Sequence, residues 1–304
     1  MFTLRQFSYM KYRKIFYLIS VGLILLGLCF GLIRGFNFGI DFTGGTMMQL
    51  DMGREISVSQ LDKVLKTNGI EADIVHAGDE NEQVIIRTVQ ALDTAAREEL
   101  LNDIFQEFEL TDDSVLTIEQ FGPSVGEMLK KNAVRALILA GIGMLIYIII
   151  RFEWKFGIAA IISVIHDILI MIAFYGFFYI PINNPFIAAL LTLVGYSIND
   201  TIVVFDRIRE NLNIMKKNKL EELIDTSINQ TVVRSLMTSA TTVLAIIPLY
   251  ILGGQTIRDF TLPLMVGIVA GAASSIFIAS PIYYEICQAT GGPKYKARKS
   301  KRKS

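Results

Sequence analysis

Val194-Gly195-Tyr196-Ser197-Ile198-Asn199-Asp200-Thr201-Ile202-Val203-Val204-Phe205-Asp206-Arg207-Ile208-Arg209-Glu210 begins as an apolar helix and ends as a charged one. The apolar run that it closes starts near residue 186 and lasts to residue 204. That length approaches the ~20 residues that cross the hydrocarbon of a bilayer. One carboxylate, Asp200, stands about two-thirds of the way along. A charge in such a place costs about 2.5–3.5 kcal/mol on insertion scales, so it implies a partner or a water-lined path. Thr192, Tyr196 and Asn199 continue a polar stripe on the same helix. Two readings fit Asp200: a carboxylate that loads and releases protons, or a buried aspartate that bridges helices.

Working outward, five further apolar runs lie at 15–34, 134–150, 156–180, 236–252 and 260–286. The sequence therefore predicts six membrane spans. Arg151 and Lys155 lie between spans two and three, and Arg207, Arg209, Lys216, Lys217, Lys219 and Arg234 between spans four and five. Seven bases crowd into residues 294–303, whereas the loops around 180–185 and 253–259 carry only Arg258. Basic loops stay in the cytoplasm, which puts both termini inside and agrees with an even number of spans. The first run follows Arg5, Lys11, Arg13 and Lys14. It is longer than a signal-peptide core and no small-x-small site follows it, so it reads as a retained anchor. The basic tail reads as a topology signal at lipid headgroups rather than as an RNA-binding arm.

The 304 residues are 52% apolar with mean hydropathy +0.46 and a formal net charge of zero. That zero hides a split, because residues 35–131 hold 19 acids against 7 bases. Their pattern predicts strands at 46–52, 72–76, 84–88 and 114–121 and helices at 58–68 and 93–108. The order βαββαβ is that of an α+β ferredoxin-like domain. Ser57-Val58-Ser59-Gln60 fits a capping box, and Gly78-Asp79-Glu80-Asn81 marks the central turn. The expected layout is a cytoplasmic start (1–14), span one (15–34), an extracytoplasmic domain (35–131), spans two to six (132–288) and a basic tail (289–304).

Other polar residues fall inside the spans. Arg234 opens span five, with Thr238, Thr241 and Thr242 on its face; it reads either as a snorkelling topology arginine or as a partner that reaches Asp200. His166 and Asp167 lie near the middle of span three. Neighbours on a helix point about 100° apart, so at most one faces span four squarely; a proton relay and a hydrogen-bonded structural pair both fit. Gly267-x-x-x-Gly271 followed by Ser275, and Gly27, Gly31 and Gly35, are spaced for close helix packing. Cys29 and Cys287 fall near opposite ends of the spans, so no disulfide is expected, and two histidines with two cysteines make no metal site. No phosphate loop or HExxH occurs. The chain is expected to be no enzyme, to need no cofactor and to bind no nucleic acid.

Three motifs together resemble a known family. Gly39-Ile40-Asp41-Phe42-Thr43-Gly44-Gly45 after span one looks like the signature shared by SecD and SecF proteins, with Gly39, Asp41, Phe42, Gly44 and Gly45 its matching residues. The 194–210 stretch resembles the span-four motif of the SecF branch, and His166-Asp167 and Arg234-Ser235-Leu236-Met237-Thr238-Ser239 sit where that branch has similar residues. The single domain of modest size also favours SecF, since SecD proteins carry a larger one. The resemblance implies half of a twelve-span unit of the resistance-nodulation-division superfamily, in the bacterial inner membrane. It implies SecD as a partner, the SecYEG channel, translocating preproteins, and SecA indirectly. Its expected activity is late-stage Sec-dependent export driven by the proton-motive force, with Asp200 and Arg234 at the family's proton-path positions; Asn199, His166 and Asp167 are expected in the same proton path. The basic start and end favour a separate subunit over a piece of a fused SecDF. A proton-coupled exporter of small molecules or lipids is the rival reading, though such chains usually carry twelve spans and two external domains. A passive scaffold would have no need of the buried charges, and an intramembrane enzyme would need a paired nucleophile and base.

Overall fold

A computed structural model describes residues 7–78, 81–215 and 219–292. Asp79 and Glu80 of the central turn, Lys216 and Lys217, Arg5 and the basic tail at 294–303 lie outside the described residues. The chain runs through α1 (Arg13–Arg34) and a single turn of helix, α2 (Ile40–Thr43), into a mixed domain. That domain comprises β1 (Gly45–Asp51), α3 (Val58–Thr67), β2 (Asp73–Ala77), β3 (Gln83–Thr88), α4 (Thr94–Phe108) and β4 (Val115–Phe121). Then follow α5 (Pro123–Arg151), α6 (Trp154–Phe178), α7 (Asn184–Ile214), α8 (Leu220–Leu252) and α9 (Gln255–Ser274). A π-turn (Ser275–Ala279) joins α9 to α10 (Ser280–Ala289) without a break in direction. Among the described residues six helical segments are long and apolar enough to span a membrane.

The domain sheet has the order β2-β3-β1-β4, with every neighbouring pair antiparallel. This is the split βαβ arrangement that the element order predicts. Alternation along the strands sends Met48, Leu50, Val84 and Ile86 to one face, where they bury against Leu61 and Leu65 of α3 and Leu100 and Ile104 of α4. Asp93 caps α4 by accepting from the Ala96 amide. The capping box expected at α3 does not form. Ser57 spends its side chain on Ser59 Oγ, while the Gln60 and Leu61 amides are met by the Ser57 carbonyl.

In the bundle, helices outlast their apolar runs. α5 starts at Pro123, well before the run at 134, because proline suits a first turn and a Glu127–Lys131 ion pair supports the polar stretch. At their ends remote from the domain, α7 and α8 continue as a polar hairpin, where the Asn211 side-chain amide donates to Ser227 Oγ and Gln230 Oε1. Glycine sets the closest helix contacts. A Cβ on Gly27 of α1 would lie 2.3 Å from the Ala173 carbonyl oxygen of α6, and one on Gly176 would lie 2.9 Å from the Gly27 oxygen. Gly35, the third glycine of that spacing, does not pack; it ends α1 at φ +83. On α9, Gly267 faces Leu193 and Gly271 faces Ser197, so α7 and α9 meet through small residues.

These contacts separate two kinds of glycine. Gly27→Val is expected to lower the stability of the detergent-solubilised protein by about 1–3 kcal/mol through overpacking against backbone. Gly22→Ala, where nothing lies within 4 Å of an added Cβ, is expected to cost nothing and to gain up to about 1 kcal/mol from alanine's better fit to a helix interior. Thermal unfolding of the two variants checks the contrast.

Candidate functional site

Two carboxylates are buried in the helical bundle. Asp167 of α6 has no exposed surface and Asp200 of α7 only 7%. Burial takes both out of solvent, so each needs donors from neighbouring helices. Asp167 finds three. His166 Nδ1 lies 2.9 Å from its Oδ1, and Ser197 Oγ of α7 and Ser274 Oγ of α9 donate to its Oδ2 at 2.6 and 2.8 Å. Ser163 Oγ donates in turn to Ser274 Oγ at 3.1 Å. The other nitrogen of His166 meets Ser20 Oγ of α1. A neutral His166 then carries its proton on Nδ1 and accepts from Ser20. As adjacency on a helix demands, the two neighbours diverge: Asp167 faces α7 and α9, and His166 faces α1.

Asp200 has a sparser setting. Ser275 Oγ donates to its Oδ2 at 2.8 Å. Ser235 of α8 offers its buried hydroxyl to the same carboxyl and closes no other hydrogen bond. Ser239, one turn along α8, is also buried, with its hydroxyl unpaired. Among the described residues no ion pair reaches Asp200.

The other expected site residues lie elsewhere. Arg234 does not approach Asp200; its exposed side chain lines a polar cavity of about 730 Å³ with Val203, Arg207 and Thr231. Asn199 is exposed on the outer face of α7 beside Thr192, not in the buried cluster. Helix geometry gives the reason, because residue 199 is rotated by about 100° from residue 200. Tyr196 uses its hydroxyl on Thr242 of α8, at 2.9 Å. The residues that sequence reasoning missed are hydroxyls: Ser20, Ser163, Ser197 and Ser274. Ser275 stood in a packing stripe, but its hydroxyl holds Asp200. The available signal was a pair of adjacent serines in an apolar run, each with a donor to place.

The glycine-rich motif at 39–45 forms the joint between domain and bundle. Gly39 N donates to the Ile182 carbonyl and Ile182 N to the Asn37 carbonyl, both at 2.7 Å, which splices the linker onto the loop before α7. Asp41 Oδ2 accepts from the Asn184 amide at 2.7 Å, at the first turn of α7, while Asn183 Oδ1 accepts from Phe186 N. Phe42 buries against the bundle with Tyr175 and Phe186. Gly44 and Gly45 have φ of +76 and +133, and a Cβ on Gly45 would lie 2.1 Å from the Thr88 carbonyl oxygen, so β1 could not start there with a side chain. Asn183 Nδ2 donates to Asp259 Oδ2 of α9 at 2.5 Å, which brings a second span into the joint. Burial first, then the Asp41 charge, pushes the Glu119 carboxyl of β4 above its usual range, with Arg87 opposing.

The family described as "Protein export membrane protein SecD/SecF, C-terminal" matches residues 101–289, and the "SecD/SecF GG Motif" matches residues 30–53. The protein translocase subunit SecF of Sebaldella termitidis is 39% identical over 300 residues, covering 97% of this chain and 96% of that one. The chain belongs to the SecF branch of the SecD/SecF family. The SecF subunit of Haemophilus influenzae is 38% identical over 92% of this chain and 86% of its own. The crystal structure of SecDF from Thermus thermophilus, described as a translocon-associated membrane protein, matches with TM-score 0.84 and 38% identity. That match covers 94% of this chain and 39% of the longer one. As a SecF-family chain with six membrane-length helices, it is a multi-pass membrane protein.

Two outcomes test the joint. Asp41→Ala is expected to cost about 0.5–2 kcal/mol of stability, because it leaves a first-turn amide of α7 unpaired. A carboxyl held above its ordinary range burdens the folded state wherever it is ionised. Glu119→Gln is therefore expected to raise the thermal midpoint at pH 7. The gain shrinks as pH falls from the raised value of Glu119 towards the ordinary carboxylate range, where the parent residue takes up its own proton.

Proposed function

We propose that this chain is the SecF-type subunit of an accessory translocase, which uses the proton-motive force to assist late steps of Sec-dependent export across the bacterial inner membrane. Family membership over nearly the whole chain supports the general role. The observation that carries the proton-driven step is Asp200, buried in mid-span against two serines and, among the described residues, in no ion pair. A carboxylate held by two neutral serine hydroxyls breaks few bonds when it takes up a proton. Asp167, with three donors, breaks more. Asp200 is thus the proton-binding group in this reading, and His166 and Asp167 form the polar support beside it. Arg234 and Asn199 act from the outer face of α7 and α8, where the cavity next to Arg234 offers protons a wet route away from the site.

One elementary charge moved through the membrane potential supplies about 2.3 kcal/mol per 100 mV, enough to bias a two-state element tens-fold. The joint at Asp41 and Asn183 connects such an element, α7, to the extramembrane domain. In this reading the acidic domain of residues 35–131 faces outwards, where it meets emerging preprotein. Both termini are cytoplasmic, as the basic loops and the even number of spans support. The partners are a SecD subunit, which completes a twelve-span unit, the SecYEG channel and, indirectly, SecA.

The test is release of a secreted reporter from cells in which Asp200→Asn replaces the parent chain at matched abundance, with and without a protonophore. Slow late release that the protonophore no longer worsens is the expected result. Release at the parental rate would show Asp200 to be a structural group and would overturn the proton-driven role.

A further inference from the structure

Ser274 and Ser275 are adjacent, yet they hold different carboxylates. Ser274 Oγ donates to Asp167 Oδ2 and Ser275 Oγ to Asp200 Oδ2, both at 2.8 Å. They stand where α9 changes its winding: Ser274 is the last residue of the α-helix and Ser275 the first of the π-turn. Ser280 Oγ donates to the Ser275 carbonyl at 2.9 Å, bridging the five-residue step of that turn. π-turns inside α-helices are rare and concentrate at functional sites.

Each serine also faces a second acceptor. Ser275 Oγ lies 2.9 Å from the Ala272 carbonyl oxygen, and Ser274 Oγ lies 3.2 Å from that of Gly271. A hydroxyl has one proton to donate and two lone pairs that accept. While a carboxylate is charged, it holds that proton, because a bond to an ion is roughly twice as strong as a neutral one. A protonated carboxyl becomes a donor itself. The serine then accepts from it and turns its own proton to the backbone carbonyl three residues back. Such back-bonding bends helices. Here both carbonyls belong to the turn of α9 that leads into the π-turn.

We infer that Ser274 and Ser275 are positioning residues that couple the protonation of Asp200 to the hydrogen bonding of Asp167 through the winding of α9. A proton on Asp200 Oδ2 reverses the Ser275 bond, loads the Ala272 carbonyl and moves the turn that carries Ser274. Asp167 feels that movement through Ser274, then Ser197 and His166 adjust, and α1 follows through Ser20. The titratable and polar groups that face the pair are few. Asp200 meets Ser275 from the π-turn and Ser235 from α8, and Asp167 meets His166 on its own helix, Ser197 from α7 and Ser274 from α9. Among the described residues no cation pairs with either carboxylate except a protonated His166. The inference rests on the reading of Asp200 as the proton-binding group.

Infrared difference spectroscopy of the full chain in lipid vesicles, titrated in pH, tests it. The carboxyl band of Asp200 is assigned by its loss in Asp200→Asn. Ser274→Ala removes a hydroxyl that does not touch Asp200. It is expected to move the midpoint of the Asp200 band by about half a pH unit or more, as loss of a coupled hydrogen bond does. Ser275→Thr, which keeps the hydroxyl, is expected to stay near the parental midpoint, while Ser275→Ala shifts it. An Asp200 band that titrates normally in Ser274→Ala would overturn the coupling and leave the proton-binding role of Asp200 standing. An Asp200 band that never titrates would overturn both.

Discussion

A carboxylate inside an apolar bundle must find its hydrogen-bond donors on the protein, and in this fold small residues bring those donors within reach. Gly271 lets α9 approach α7 so closely that an added Cβ would meet Ser197 at 3.0 Å. At that separation Ser197 and Ser274 reach Asp167 from opposite helices, and one residue further on Ser275 reaches Asp200. The same device sets α1 on α6 through Gly27 and Gly176, near enough for Ser20 to meet His166. Close packing and polar satisfaction are thus one requirement. A bulkier residue at 271 would separate the helices and strand both charges, and an unpaired buried charge costs far more than the lost contact area.

The domain is held to this bundle by backbone. The 37–39 linker pairs with the loop before α7, Asp41 caps that helix, and β4 passes into α5 across Gly122 alone. The paired glycines at 44 and 45 permit the sharp exit of β1 beside the Thr88 carbonyl. A mixed domain of this size would otherwise swing on its two connections. Here the linker, α2 and the start of α7 share one set of hydrogen bonds, and the exit helix α5 packs closely on α2 through Gly126.

Periodicity and apolar runs made the architecture legible. Six spans, the βαββαβ order and its sheet follow from patterns that depend on burial alone. The candidate site was legible at Asp167 and Asp200, because a carboxylate in an apolar run announces itself. Its partners were not. Serine is common and small, and nothing local says whether Ser275 fills a packing groove or donates to a carboxylate until α9 is placed against α7. Arg234 was legible only as two alternatives, a snorkelling cation or a partner of Asp200, and its rotation on α8 turns it to the exposed face and the polar cavity. Rotation about a helix axis is the quantity that spacing within one helix does not supply for its neighbour. Helix ends were also blurred, since capping and ion pairs carry α5, α7 and α8 beyond their apolar runs.

The length of α7 bears on how work is delivered. Its 31 residues make a rod of roughly 47 Å, against a hydrocarbon layer of about 30 Å. One end is clamped under the α/β domain and the other forms half of the polar hairpin with α8. A straight helix is stiff along its axis, so an axial displacement imposed at its middle arrives at both surfaces in the same stroke and the same direction. A push on the domain is then a pull on the hairpin, and whatever grips the hairpin sets the load against which the domain moves.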